Sequence, residues 1–138
     1  MFSLQFCFAL ATLIGQDEKK AESDAAVVLF EKTLAEAKDG DAVAMVNIGL
    51  MYANGEGVVK DDKEAVKWYR KAAELGDASA MNNLGVMYAN GEGVVKDDKE
   101  AVKWYRKAVE LGNAEAMFNF GNMYFNGKGV LKDDKEAV

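Results

Sequence analysis

Apolar positions recur along this chain with two superimposed periods. The short one is helical. Ala44, Met45, Ile48, Met51 and Tyr52 fall on one side at i, i+3, i+4, i+7 spacing, and Ala65, Trp68, Tyr69, Ala72 and Leu75 form a second stripe of the same kind. The long period is 36 residues. The string MYANGEGVVKDDKEAVKWYRKA at Met51–Ala72 returns unchanged at Met87–Ala108, its first half returns in altered form at Met123–Val138, and Gly40, Gly76 and Gly112 stand in register. A fixed period of this size marks a solenoid. The pattern predicts an all-α chain of antiparallel helix pairs, one pair per repeat, each stacked on its neighbours.

The punctuation agrees with that reading. Asp41 is a good N-cap for a first helix opening at Ala42. Asn54-Gly55 ends it, where glycine takes the left-handed conformation. Gly55–Val59 is the loop between the helices, its valines tucked between them. Asp61-x-x-Glu64 has capping-box spacing and opens the second helix. Gly76 is the residue after its C-cap, and Asp77 caps the next first helix. Charge follows the macrodipole, with Asp61, Asp62 and Glu64 at the start of the second helix and Arg70 and Lys71 towards its end.

Upstream of the repeats the pattern changes. Met1–Gly15 (MFSLQFCFALATLIG) carries no charged side chain. It is too short for a membrane span, which needs roughly 20 apolar residues. Its length suits the apolar region of a secretory signal peptide, with Ala9-x-Ala11 as a cleavage site. The alternatives are an apolar helix packed under the array, or an artefact of a start codon chosen inside a longer gene. The first reading places the protein outside the cytoplasm or in a periplasm; the others leave it cytoplasmic. Residues 16–23 (QDEKKAES) read as a polar linker. Residues 24–39 turn periodic at Ala26, Val27, Phe30, Leu34 and Ala37, and the string AVVLFEKTLAEA (Ala26–Ala37) echoes AVKWYRKAAELG (Ala65–Gly76), with about three more residues before the next unit. This segment is expected to be the second helix of a degenerate leading repeat. Repeats then occupy 40–75, 76–111 and 112–138.

Composition narrows the chemistry. Seventeen Lys and Arg against 23 Asp and Glu give a net charge of −6, which disfavours nucleic acid and anionic lipid as partners. The chain has no histidine, so Ser-His-Asp and Cys-His catalysis and His-ligated metal sites are excluded. The one cysteine, Cys7, lies in the leader, so no internal disulfide and no Cys-rich zinc site can form. Asp61-Asp62-x-Glu64 lacks calcium-loop spacing and is accounted for by helix capping. Gly55-x-Gly57 follows no strand and is not a phosphate cradle. Trp68/Trp104 and Tyr69/Tyr105 sit beside small residues at helical spacing and read as core, and Lys63, Lys67 and Lys71 read as a solvated basic ridge. No cofactor is implied.

The recurring string A-x-x-x-L/I-G-x-M-Y-x-x-G-x-G-V-x-x-D-x-x-x-A-x-x-W-Y-x-K-A resembles the Sel-one-like repeat, a relative of the tetratricopeptide repeat. Gly49, Tyr52, Gly55, Gly57, Asp61, Ala65, Trp68, Tyr69 and Ala72 all fall on the motif, and again one period later. The resemblance covers Asp41 to Val138. It implies a right-handed α/α superhelix that serves as an adaptor for other proteins, in bacteria often secreted or periplasmic. In one branch of that family each repeat carries two cysteines, and some members are described as binding or hydrolysing β-lactams. No repeat here carries a cysteine, so that activity is not transferred.

Comparing the copies locates a candidate surface. Val43 becomes Ser79 and Glu115; Val46 becomes Asn82 and Phe118; Leu50 becomes Val86 and Asn122; Ala53 and Ala89 become Phe125. Spacings of 3, 4 and 3 put these positions on one helix face. By resemblance to tetratricopeptide repeats that face lines the concave groove, flanked by Asn47/Asn83/Asn119 and Asn54/Asn90/Asn126, whose amides suit a peptide backbone. The expected function is a non-catalytic scaffold for a protein or peptide. The alternative is a secreted hydrolase of the β-lactamase-like kind, for which Ser79 and Glu115 are the only candidates, neither with a visible base. Val138 aligns with Val66 and Val102, so the third repeat stops early in its second helix. Further repeats, or another chain, are expected to cover that end, and Phe118 and Phe125 would then pack against them.

Overall fold

The computed structural model describes residues 4–130. Among them are six α-helices and no strand: α1 (Leu4–Lys38), α2 (Ala42–Asn54), α3 (Asp62–Glu74), α4 (Ala78–Asn90), α5 (Asp98–Glu110) and α6 (Ala114–Phe125). Each packs chiefly on the helix before it and the helix after it. The result is an all-α solenoid in which α2–α3 and α4–α5 are complete repeats and α6 opens a third.

Local chemistry sets the boundaries. Asp41, Asp77 and Asn113 each accept a hydrogen bond from the backbone N–H three residues on, capping α2, α4 and α6. Gly55 and Gly91 end α2 and α4 with φ of 72° and 73°. Asp61 caps α3 by accepting from the backbone N–H groups of Lys63 and Glu64, at 3.0 and 3.1 Å. The reciprocal half of the expected capping box is absent. The Asp61 N–H donates instead to the Tyr52 carbonyl at 2.9 Å, and Glu64 turns to pair with Lys67.

The first-helix stripe is buried as expected at Ala44, Met45, Ile48 and Met51, with Tyr52 half-buried. The second-helix stripe needs one correction. Ala65, Trp68, Tyr69 and Ala72 are buried, but Leu75 is 59% exposed. The helix ends at Glu74, and Leu75 turns the chain outwards into Gly76 instead of continuing the stripe. Val66 and Ala73 are buried in addition, because α3 lies between α2 and α4 and so hides two stripes.

Close approach within a repeat requires glycine. A Cβ on Gly49 would stand 2.4 Å from Tyr69 Cε1, and one on Gly85 would stand 2.5 Å from Tyr105 Cε1. The bare helix surface thus seats a buried ring, and burial pushes both phenols up to about 12, with the negative charges of Asp62 and Glu115 adding to the effect on Tyr69 and Tyr105 respectively. Between repeats, Arg70 donates to the Tyr88 hydroxyl at 3.0 Å, and Arg106 to that of Tyr124 at 3.2 Å.

The N-terminal segment differs from expectation in two ways. Residues 16–23 are helical, and α1 runs unbroken from Leu4 to Lys38. The polar run lacks Gly and Pro and is rich in Ala, Glu, Lys and Gln, which lose little on entering a helix. Secondly, the register of α1 shifts by three residues from the string comparison. Gly57 sits on the carbonyl of Ala26 as Gly93 sits on that of Asp62, so Ala26 holds the place of Asp62, not of Ala65. In this register Phe30, Thr33 and Ala37 match Val66, Tyr69 and Ala73, and these three are the buried residues of α1. Phe30 meets Tyr52 edge-on, with ring centroids 5.3 Å apart. Leu29, which matches Ala65, is 56% exposed.

Candidate functional site

The first helices present one side to solvent. On α2 the exposed residues are Val43, Asn47, Leu50 and Asn54. On α4 the matching positions are Ser79 and Asn90, exposed, with Asn83 and Val86 half-buried. On α6 they are Glu115, Asn122 and Asn126, exposed, with Asn119 half-buried. These residues form four columns across the repeats, spaced 4, 3 and 4 along each helix.

This ladder corrects the face expected from the copy comparison. Val43, Leu50, Ser79, Val86, Glu115 and Asn122 belong to it. Val46 and Asn82 do not: they are 8% and 1% exposed and pack between repeats, out of a partner's reach. The cause is geometric. One residue turns the helix by 100°, so positions 46 and 53 point towards the following repeat while 47 and 54 point outwards. Phe118 and Phe125, in the same columns as Val46 and Ala53, are 69% and 82% exposed. They stand on the side of α6 that corresponds to the inter-repeat side of α2 and α4. Asn82 is paired across that interface, its carbonyl oxygen accepting from the Asn119 amide at 3.0 Å.

The asparagines thus move from the flank of the expected face into the outward columns themselves. Among the described residues the side chains of Asn47, Asn83 and Asn90 form no hydrogen bond, and each exposes both amide donors and a carbonyl acceptor. Asn54 donates to the Glu56 carboxylate at 3.0 Å. A cleft between α1 and α2 opens onto this face, walled by Leu29, Thr33, Asn47, Leu50, Met51 and Glu56. Nothing in the sequence marked Leu29, Thr33 or Glu56 for this place; the correct register of α1 marks the first two.

Ser79 stands alone on the first turn of α4, and the chain has no histidine to serve as its base. Among the described residues no three His, Cys, Asp or Glu side chains come together as a metal site. The carboxylate of Asp61 is engaged in capping α3. Trp68 is buried and Trp104 half-buried, each under a lysine, Lys71 at 4.3 Å and Lys107 at 4.4 Å from the ring centroid.

The Sel1 repeat model matches residues 42–77, 78–113 and 114–138, most of the chain. The chain belongs to the Sel1 repeat family. Among solved structures, a Sel1 repeat protein from Oxalobacter formigenes is 43% identical with a TM-score of 0.75, over 81% of this chain and 45% of that one. The protein c5321, a protective antigen present in uropathogenic Escherichia coli strains and displaying the same repeat fold, is 36% identical with a TM-score of 0.72, over 91% of this chain and 31% of that one. Helicobacter pylori cysteine rich protein B is 26% identical with a TM-score of 0.62, over 75% of this chain and 92% of its own. The chain therefore spans less than half the length of the first two relatives. No curated protein matches it. Sel1 repeats form a scaffold typical of protein-interaction proteins and are generally non-catalytic. No described helix is long and apolar enough to cross a membrane.

Proposed function

We propose that this Sel1 repeat array is a non-catalytic adaptor that holds a protein or peptide along the outward side of α2, α4 and α6. One observation carries the reading. The frame is nearly invariant between copies, while the exposed columns Val43/Ser79/Glu115 and Leu50/Val86/Asn122 change character from repeat to repeat. A surface that varies on a constant frame is what selective recognition needs. The asparagine columns between them offer donors and acceptors to a partner's main chain, and Leu29 and Leu50 offer apolar seats.

Photo-crosslinking tests it. A photoreactive residue at Leu50 or Val86 is expected to capture a defined partner in the native host, and one at Val59, an exposed loop valine, is not. Capture at Val59 alone, or at none of the three, overturns the assignment. Export belongs to the same proposal. The leader is apolar and uncharged, and its described residues lie on the exposed arm of α1. A mature N-terminus following Ala11 in protein from the native host would bear this out.

A further inference from the structure

The opposite side of the array carries a different chemistry. A furrow runs along α3, floored by the buried Val66 and rimmed by Lys63, Lys67, Arg70, Lys71 and Glu74. Gly93 of the next repeat's loop closes one end. A second hollow shares Lys63 and Gly93 with the first and continues to Val94 and Val95, the latter 89% exposed. Four cations thus face one carboxylate in a chain whose net charge is −6.

We infer that this furrow is a second binding surface, and that its ligand is a short acidic peptide segment with an apolar side chain at one end. The Lys63 ammonium has no ion-pair or hydrogen-bond partner among the described residues. The other cations are held in place by single exposed interactions: Lys67 with Glu64, Arg70 with the Tyr88 hydroxyl, and Lys71 over Trp68. Interactions of that kind are weak and leave the charge open to a second carboxylate. From Lys63 to Glu74 the helix advances about 16 Å, the reach of roughly five extended residues. Glu74 at the far end and Val94–Val95 at the near end fix a polarity, with acidic residues over α3 and the apolar residue at the loop.

A long polyanion fits poorly. Beyond the furrow it meets Glu100 and Glu110 and the excess negative charge of the whole chain, whereas a short peptide lies among the four local cations, with Glu74 at one end and Glu64 already paired to Lys67. The surface is repeated. Lys99, Lys103, Arg106 and Lys107 stand on α5 where the four cations stand on α3, and Gly129 lies on the carbonyl of Asp98 as Gly93 lies on that of Asp62. α1 lacks the ridge, since Val27, Glu31, Leu34 and Ala35 occupy its places.

The test is fluorescence polarisation on the full chain, with a labelled hexapeptide of one leucine and five glutamates. Saturable binding is expected, weakening severalfold between about 50 and about 300 mM salt. The quadruple variant K63Q/K67Q/K99Q/K103Q should bind at least tenfold more weakly with its circular dichroism unchanged, and E74K/E110K should bind severalfold more tightly. No saturable binding at millimolar peptide, equal binding of the five-glutamine analogue, or indifference to both sets of substitutions overturns the inference. So does preferential binding of a single-stranded oligonucleotide or of phosphatidylserine vesicles.

Discussion

Gly93 rests on the backbone of Asp62, so close that a Cβ on Gly93 would stand 2.2 Å from the Asp62 carbonyl oxygen. Gly129 repeats this on Asp98 at 2.2 Å, and Gly57 on Ala26 at 2.1 Å. These are the joints of the array. The loops of Gly93 and Gly129 are pressed onto the starts of α3 and α5 and that of Gly57 onto the interior of α1, and the obstructing atom is backbone, which cannot swing aside.

Substitution at such a joint should cost far more than at a glycine needed only for its dihedral angle. Gly93 and Gly76 both have positive φ, 67° and 92°, but nothing lies within 4 Å of a Cβ on Gly76. Gly76→Ala should therefore cost about 1–2 kcal/mol, the backbone penalty alone. Gly93→Ala adds a clash that moves the loop off α3, and more than about 3 kcal/mol is expected. Urea midpoints of the two variants check the order. Equal losses would mean that the joint yields freely.

Asn82 and Asn119 make a second kind of joint. Asn82 is 1% exposed, and the Asn119 amide is its bonded partner at 3.0 Å. Asn119→Ala strands a buried carbonyl and should cost about 1–3 kcal/mol. Adding Asn82→Val, the residue type found at position 46 in the same column, removes the stranded group. The double variant should be more stable than Asn119→Ala alone, and a double-mutant cycle in urea measures the coupling.

That pair also shows why the site was only partly legible in the sequence. Comparing copies finds positions that change, and positions change for two reasons: a partner differs, or the neighbouring repeat differs. Val46, Asn82 and Phe118 vary along the inter-repeat seam. Val43, Ser79 and Glu115 vary at the surface. Spacings of 3-4-3 and 4-3-4 describe equally good helix faces, and only packing chooses between them. The frame was readable because the period repeats every cap, glycine and aromatic in register. The leading helix is hard to align because Ala26-Val27 imitates Ala65-Val66, whereas the structural equivalents Thr33 and Tyr69 share only a hydroxyl and differ in size and aromaticity.

The buried tyrosines predict an alkaline transition. Burial raises Tyr69 and Tyr105 from 10.0 to about 12, so the fold favours the neutral phenols. Their contribution is complete below the unfolded value near 10 and is lost as pH rises from there through about 12. The loss is on the order of 2 kcal/mol for each ring. Comparing urea midpoints at about pH 8 and about pH 11.5 should show a drop that Y69F/Y105F largely removes, since phenylalanine keeps the ring against Gly49 or Gly85 and has no proton to lose. A drop of the same size in the double variant would assign the alkaline loss to other groups.

The arm of α1 predicts a tolerated truncation. Between Leu4 and Ser23 every residue is exposed except the half-buried Gly15, and the first buried residue is Phe30. Deleting residues 1–23 removes the exposed turns of α1 from Leu4 to Ser23 and none of its buried residues, so stability should change by less than about 0.5 kcal/mol. Phe30→Ala, which strips the ring from Tyr52, should cost about 3–5 kcal/mol despite being a single side chain. Amide hydrogen exchange separates the same two regions. An unpacked helix of that length is marginal on its own, so amides before Ser23 should exchange fast while those from Phe30 to Ala37 are protected with the array. Slow exchange in the arm, or a large loss on truncation, would show that its exposed apolar residues Phe8, Leu10 and Leu13 have found a surface in solution. The arm would then belong to the scaffold instead of trailing from it.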